Sequence, residues 1–176
     1  MLAADKRDSW LTDSGASRHI TFRREWLINF RELPDGNAVS LGNGKECRVE
    51  GVGTVEIEKY VRGEWRSSRI ENVLYVPDMT KNLFSVRECA KKGLGVLFLG
   101  DLVHIKNKNL VVGYGVAQGN EIYRMAFKTK CAKNVNEANA AKTDSRVWHE
   151  RLGHVNRRAM SKLVKNNQKN TRRRLF

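Results

Sequence analysis

The chain is short of cysteine, has no long apolar run and shows no internal repeat. Three cysteines, Cys47, Cys89 and Cys131, lie far apart in 176 residues, and no Cys-x-x-Cys occurs. An odd, sparse set fits structural thiols in a reducing interior better than a disulfide framework. No stretch approaches the roughly 18 apolar residues of a membrane-spanning helix, so no membrane partner is expected. Residues 1–12 lack the apolar centre of a signal peptide, and an intracellular, cytoplasmic location is expected.

Acidic residues are scarce in one part of the chain only. The formal net charge is +14. Residues 1–127 carry 19 basic and 16 acidic side chains, whereas residues 128–176 carry 14 and 3. The first part therefore reads as a near-neutral folded body. The second could meet an acidic partner, nucleic acid above all. Arg172, Arg173 and Arg174 are its densest cluster and the candidate phosphate contacts. They could equally act as a nuclear-import signal, with the nucleus as a second compartment. No aromatic residue interleaves with them, so base stacking is not expected. Residues 167–176 also read as a solvated, disordered tail.

Period-2 patterning dominates the near-neutral part. Thr54-Val55-Glu56-Ile57-Glu58 alternates as a half-buried strand does. Arg62-Gly63 marks a turn into 66–76. Asn43-Gly44 between Val39–Leu41 and Cys47–Val49 signals a hairpin, since both turn residues tolerate positive φ. Val96–Leu99, Leu102–Ile105 and Leu110–Val112 follow as short strands, with a turn at 107–109. One helix is signalled: Ser85 caps it, Glu88 is placed to reach back to Ser85, and Gly93 ends it. Apolar periodicity is lost over 128–145 and returns over 146–166, where one or two short helices are expected, one from Arg157 capped by Asn156.

The segment with most chemistry is Trp10-Leu-Thr-Asp13-Ser14-Gly15-Ala16. An Asp on a tight turn can present its carboxylate to a second one across a symmetry axis, and Gly15 permits the close backbone approach this requires. Ser14 can hydrogen-bond the opposing loop. Two carboxylates in contact share one proton, leaving one base to activate water and one acid to polarise a carbonyl. The chain holds no second Asp-Ser/Thr-Gly. A carboxylate pair would therefore need Asp13 of another copy, and so a homodimer with its site on the two-fold axis. His19 reads as a packing or surface residue, since an acid pair needs no imidazole.

Residues 11–20, Leu-Thr-Asp-Ser-Gly-Ala-Ser-Arg-His-Ile, resemble the protease of copia-type retrotransposon Pol polyproteins. Further blocks agree in order: 39–44, Val-Ser-Leu-Gly-Asn-Gly; 50–54, Glu-Gly-Val-Gly-Thr; 72–78, Asn-Val-Leu-Tyr-Val-Pro-Asp, with 82–86, Asn-Leu-Phe-Ser-Val; and 148–154, Trp-His-Glu-Arg-Leu-Gly-His. The resemblance spans about residues 9–166. It implies a mainly β, retropepsin-like small barrel with one short helix over 8–95. A strand-rich continuation (96–127), a basic linker (128–145) and a small helical, truncated GAG-pre-integrase segment (146–166) would follow. It implies an aspartic endopeptidase that cleaves its own polyprotein in a virus-like particle, with Asp13 catalytic and no cofactor for proteolysis. Gly42, Asn43 and Gly44 would form the tip of a substrate-covering flap. Ser85 stands where many relatives of that fold have Gly.

His149 and His154 resemble the start of a His-His-Cys-Cys zinc module. No Cys pair follows them, so the zinc site is incomplete and weak binding is expected. A second reading also stands: a decayed or domesticated, catalytically silent fragment that binds protein or nucleic acid. It rests on the shortness of the chain before Asp13 and on the missing zinc ligands.

Overall fold

The computed structural model describes residues 6–42, 44–119 and 122–131. The expected helices over 146–166 and the tail lie outside these. Strands dominate: β1 (Trp10–Asp13), β2 (Ile20–Thr21), β3 (Leu27–Glu32), β4 (Ala38–Ser40), β5 (Glu46–Arg48), β6 (Gly51–Val61), β7 (Glu64–Tyr75) and β8 (Asn82–Ser85). The helix α1 (Val86–Lys91) follows, then β9 (Leu94–Leu99), β10 (Leu102–Asn107), β11 (Leu110–Gln118), β12 (Ile122–Met125) and β13 (Phe127–Thr129). Among the described residues no helix is long and apolar enough to cross a membrane.

The patterned stretches form the elements their periodicity predicts. The alternating run at 54–58 lies in β6, and Arg62 and Gly63 turn it into β7 with φ of 57° and 83°. Positions 39–40 and 47–48 pair as the β4–β5 hairpin, a two-stranded sheet of its own. Ser85 caps α1 by accepting from the Glu88 backbone N–H at 3.1 Å, and Gly93 follows the helix with φ +70°. The reciprocal half of the capping box does not form. Glu88 instead pairs with Lys91 at 2.7 Å, and the Ser85 N–H is taken by a ring nitrogen of His19.

All other strands join one sheet in the order β13-β6-β7-β2-β8-β1-β12-β11-β10-β9, with β3 also on β6. The outer edge of β6 is shared: β3 pairs along 51–55 and β13 along 57–59. The small barrel expected from the resemblance is not closed. Among the described residues no pairing joins β13 to β9, and the sheet curls over a shared core instead. That core gathers Trp10, Trp26, Val55, Val73, Phe84, Val103 and Met125 from segments distant in sequence. Trp10 stacks on Trp26 at 6.2 Å between ring centres and meets Phe127 at 6.0 Å. A second cluster, Ile20, Cys47, Val49, Val52, Leu74 and Val76, fills the space beneath the β4–β5 hairpin.

Strand pairing runs past residue 127, where the linker was expected to begin. β13 is held by Trp10, whose indole N–H donates to Thr129 Oγ1 at 3.1 Å, and by the Lys128 ammonium 4.0 Å from the centre of the Trp65 ring. These long-range partners outweigh a local composition poor in apolar residues.

The curl requires close packing where β10, β11 and β12 meet. A Cβ on Gly115 would lie 2.5 Å from Val103 Cγ1 and 2.9 Å from the Arg124 carbonyl oxygen. Backbone cannot yield as a flexible side chain can. Gly115→Ala should therefore destabilise the fold by about 1–3 kcal/mol, the usual cost of overpacking. Urea unfolding would measure it; an unchanged midpoint would show that the strands separate there without cost.

Candidate active site

β1 and β8 run parallel in register, so Asp13 lies opposite Ser85. β8 is inserted between β1 and β2, although those two are consecutive in the chain. The 14–19 loop must therefore step over the end of β8 to reach β2. This crossing fixes the loop that carries Asp13.

At the start of the loop, Asp13 Oδ1 accepts from the Gly15 N–H at 2.7 Å and from the Ala16 N–H at 3.2 Å. The carboxylate is folded back over its own turn. A Cβ on Gly15 would lie 3.3 Å from Asp13 Oδ1, tighter than ordinary packing. Ser14 and Gly15 are exposed, Asp13 is half-buried and Ala16 is buried. The loop thus turns its functional end outward and anchors its far end in the protein.

The anchor is polar and fully buried. Ser85 Oγ donates to the Ala16 carbonyl at 2.6 Å and accepts from the Glu88 N–H. His19 Nδ1 accepts from the Ser85 N–H at 3.1 Å, and its ring lies 4.8 Å from that of Phe84. One strand below, Thr21 Oγ1 donates to Asn82 Oδ1 at 2.7 Å, while Asn82 Nδ2 donates to the carbonyls of Arg7 and Ser9. These buried side chains partner one another and the backbone, which is what lets such a network sit inside a core at all. Ser85 both caps α1 and clamps the loop.

Burial drives the His19 pKa down from 6.5 to about 4 against the opposing field of Glu88; Lys92 and Arg18 push the same way as burial. A neutral ring is also what its geometry demands, because Nδ1 must keep a lone pair to accept from Ser85. Glu88 is held below its ordinary range by its hydrogen bond to Lys91, burial opposing, with the charges of Lys91, Arg18 and His19 adding to the effect. Burial raises the Cys89 thiol to about 11, so it stays protonated. Cys47, Cys89 and Cys131 are all unpaired thiols.

The expected flap corresponds to the β4–β5 hairpin. Gly42 and Gly44 are exposed at its turn, Gly44 with φ +78°, and Asn43 lies outside the described residues. Leu41 and Lys45 close the turn, with the Leu41 N–H donating to the Lys45 carbonyl at 2.8 Å. His149, His154, Arg172, Arg173 and Arg174 also lie outside the described residues. Among the described residues, no group of three His, Cys, Asp or Glu side chains is placed to hold a metal.

Sequence reasoning missed the Thr21–Asn82 pair and the double role of Ser85. It also passed over a cavity of about 270 Å³ between the Asp13 loop and the base of the hairpin, lined by the half-buried Arg18 and the exposed Arg31 together with aliphatic side chains. A basic residue five places after the Asp was the available signal.

Residues 10–94 match the family model described as Pol polyprotein, beta-barrel domain, and residues 121–172 match the GAG-pre-integrase domain. The chain is 28% identical over 163 residues to the retrovirus-related Pol polyproteins from transposons RE1 and RE2 of Arabidopsis thaliana. These alignments cover 90% of the chain but 11% of each relative. No solved structure matches. The GAG-pre-integrase match includes β12 and β13, the strands that pair with β1 and β6.

Proposed function

We propose that this segment of a copia-type retrotransposon Pol polyprotein is an aspartic endopeptidase, active as a homodimer and directed at the polyprotein it belongs to. The observation that carries the reading is the Asp13 loop. Its carboxylate is oriented by two backbone N–H groups, its exposed end faces outward, and its far end is clamped by a satisfied buried network. That is how a group is held when its position matters for chemistry.

In the dimer, the Asp13 carboxylates of two copies would share one proton. The ionised one takes a proton from water as the water oxygen attacks the scissile carbonyl carbon. The protonated one gives its proton to the carbonyl oxygen. The resulting tetrahedral species collapses: the C–N bond breaks, the leaving nitrogen takes the proton held by one carboxylate, and a hydroxyl of the tetrahedral carbon gives its proton to the other as C=O reforms, which restores the singly protonated pair. The peptide would lie extended beneath the β4–β5 hairpin and bond to its backbone as an added strand. Exposed glycines at the turn suit a covering element that opens and closes.

One catalytic Asp per chain makes activity a property of the pair. Specific activity on a peptide spanning a polyprotein junction should fall on dilution, in step with the loss of dimer seen by sedimentation. Constant specific activity through dissociation to monomer would contradict the reading.

A further inference from the structure

We propose that the cavity between the Asp13 loop and the hairpin base is a specificity pocket that selects a substrate carboxylate, the side chain of Glu or Asp. The inference rests on the endopeptidase reading and adds the chemistry of what that site prefers.

The cavity joins the loop that follows Asp13 to the base of the hairpin proposed to cover the peptide. Arg18 belongs to the same 14–19 loop as Asp13, and Asn37 and Val49 close the hairpin at its base, with the Val49 N–H donating to the Asn37 carbonyl at 2.8 Å. The walls are aliphatic, from residues such as Val52 and Leu74, and the amides of Asn37 and Asn72 add polar groups. Among the described residues, its only charged lining side chains are Arg18 and Arg31, and no carboxylate lines it.

Neither arginine is used up by the fold. Arg18 Nε is buried without a hydrogen-bond partner. It lies 3.8 Å from Glu88 Oε1, and Arg18 Nη2 reaches the Asn72 carbonyl only at 3.4 Å. Glu88 itself is engaged more closely by Lys91 at 2.7 Å. Arg31 makes no ion pair among the described residues. Two guanidinium groups beside a partly apolar cavity favour a planar anion that takes paired hydrogen bonds, with aliphatic stem on the walls. A neutral isostere such as Gln would leave the arginines poorly satisfied.

The test uses the full chain and a library of amidated octapeptides, each carrying Glu, Gln or Lys at one position in turn. One position should favour Glu over Gln by about tenfold in kcat/KM, the scale of a charge-assisted hydrogen bond. The ratio should shrink with salt and collapse toward one in Arg18→Gln/Arg31→Gln. Arg31→Glu, a change at an exposed residue, should turn the preference toward Lys at that same position. A parallel set with free C-termini separates side-chain from terminal carboxylate; a preference appearing only there overturns the proposal. So does an absence of Glu preference, or one that survives both arginine changes. If no peptide is cleaved, the endopeptidase reading fails, and the pocket is judged by binding. Labelled Glu and Gln octapeptides are then titrated against the Asp13→Asn chain. Tighter Glu binding that depends on Arg18 and Arg31 upholds the pocket, and equal binding removes it.

Discussion

Asp13→Asn should abolish peptide cleavage while leaving the fold intact. The expected loss is at least about 10³-fold, since an amide can neither take the proton from water nor share one with its partner. Structure should change little. Asn Oδ1 can accept from the Gly15 and Ala16 N–H groups as Asp13 Oδ1 does, and the residue is only half-buried. Thermal unfolding of the variant should therefore track wild type. Mixing gives the sharper result. If each site uses one Asp13 from each copy, a wild-type chain paired with a variant chain is inactive. With random pairing, activity should fall as the square of the wild-type fraction. A linear fall would mean that one chain suffices, and retained turnover in the pure variant would place the chemistry elsewhere.

Local features of this fold were legible because their causes are local. The turns at Arg62-Gly63 and Gly44 follow from backbone preferences, and strands such as β6 declare themselves by alternation. Ser85 reads as a helix cap from its own neighbourhood. The insertion of β8 between β1 and β2 is different. It joins residues about seventy positions apart, and no short pattern encodes it. A small barrel was expected from the resemblance. The edge of β6 is instead taken by β3 and β13, and β9 is left at the end of the sheet.

The candidate site divides along the same line. Asp13, Gly15 and the hairpin were readable because a turn needs particular residue types at particular places. Asn82 and Thr21 look like ordinary strand residues until their shared burial is seen, and then they are the partners that make that burial tolerable. Glu88 misled for the opposite reason. Its spacing from Ser85 fits a capping box, but Lys91 and Arg18 offer it charge, and His19 already occupies the N–H it would have reached. His19 was expected to be packing or surface. It is packing, with a polar duty that its sequence position did not reveal.

That duty makes the protein acid-sensitive. The folded state holds His19 near pKa 4, below the unfolded value of 6.5. Above pH 6.5 the ring is neutral in both states, and its contribution to stability is fully present. As pH falls from 6.5 toward 4, the unfolded chain takes up a proton that the folded chain resists, and stability is lost progressively. The difference between the two values corresponds to roughly 3 kcal/mol. Glu88, whose folded pKa is lowered from 4.5, adds its own loss, which begins as pH falls through that ordinary carboxylate value. The upper part of the His19 window therefore lies above it and can be read separately from it. His19→Asn keeps an acceptor for the Ser85 N–H and removes the titration. At pH 7 the variant should be weaker by about 1 kcal/mol, from lost packing on Phe84. Between about pH 6.5 and 5 its stability should decline less steeply than that of wild type, the remaining loss coming from His104, whose pKa burial also lowers, as urea unfolding at several pH values would show. Protonating His19 also breaks its bond to Ser85, which clamps the Asp13 loop through Ala16, so wild-type cleavage should fall on the acid side before the chain unfolds. In His19→Asn that acid limb should move to lower pH. Parallel acid profiles in the two proteins would show that His19 does not couple the proton to the loop.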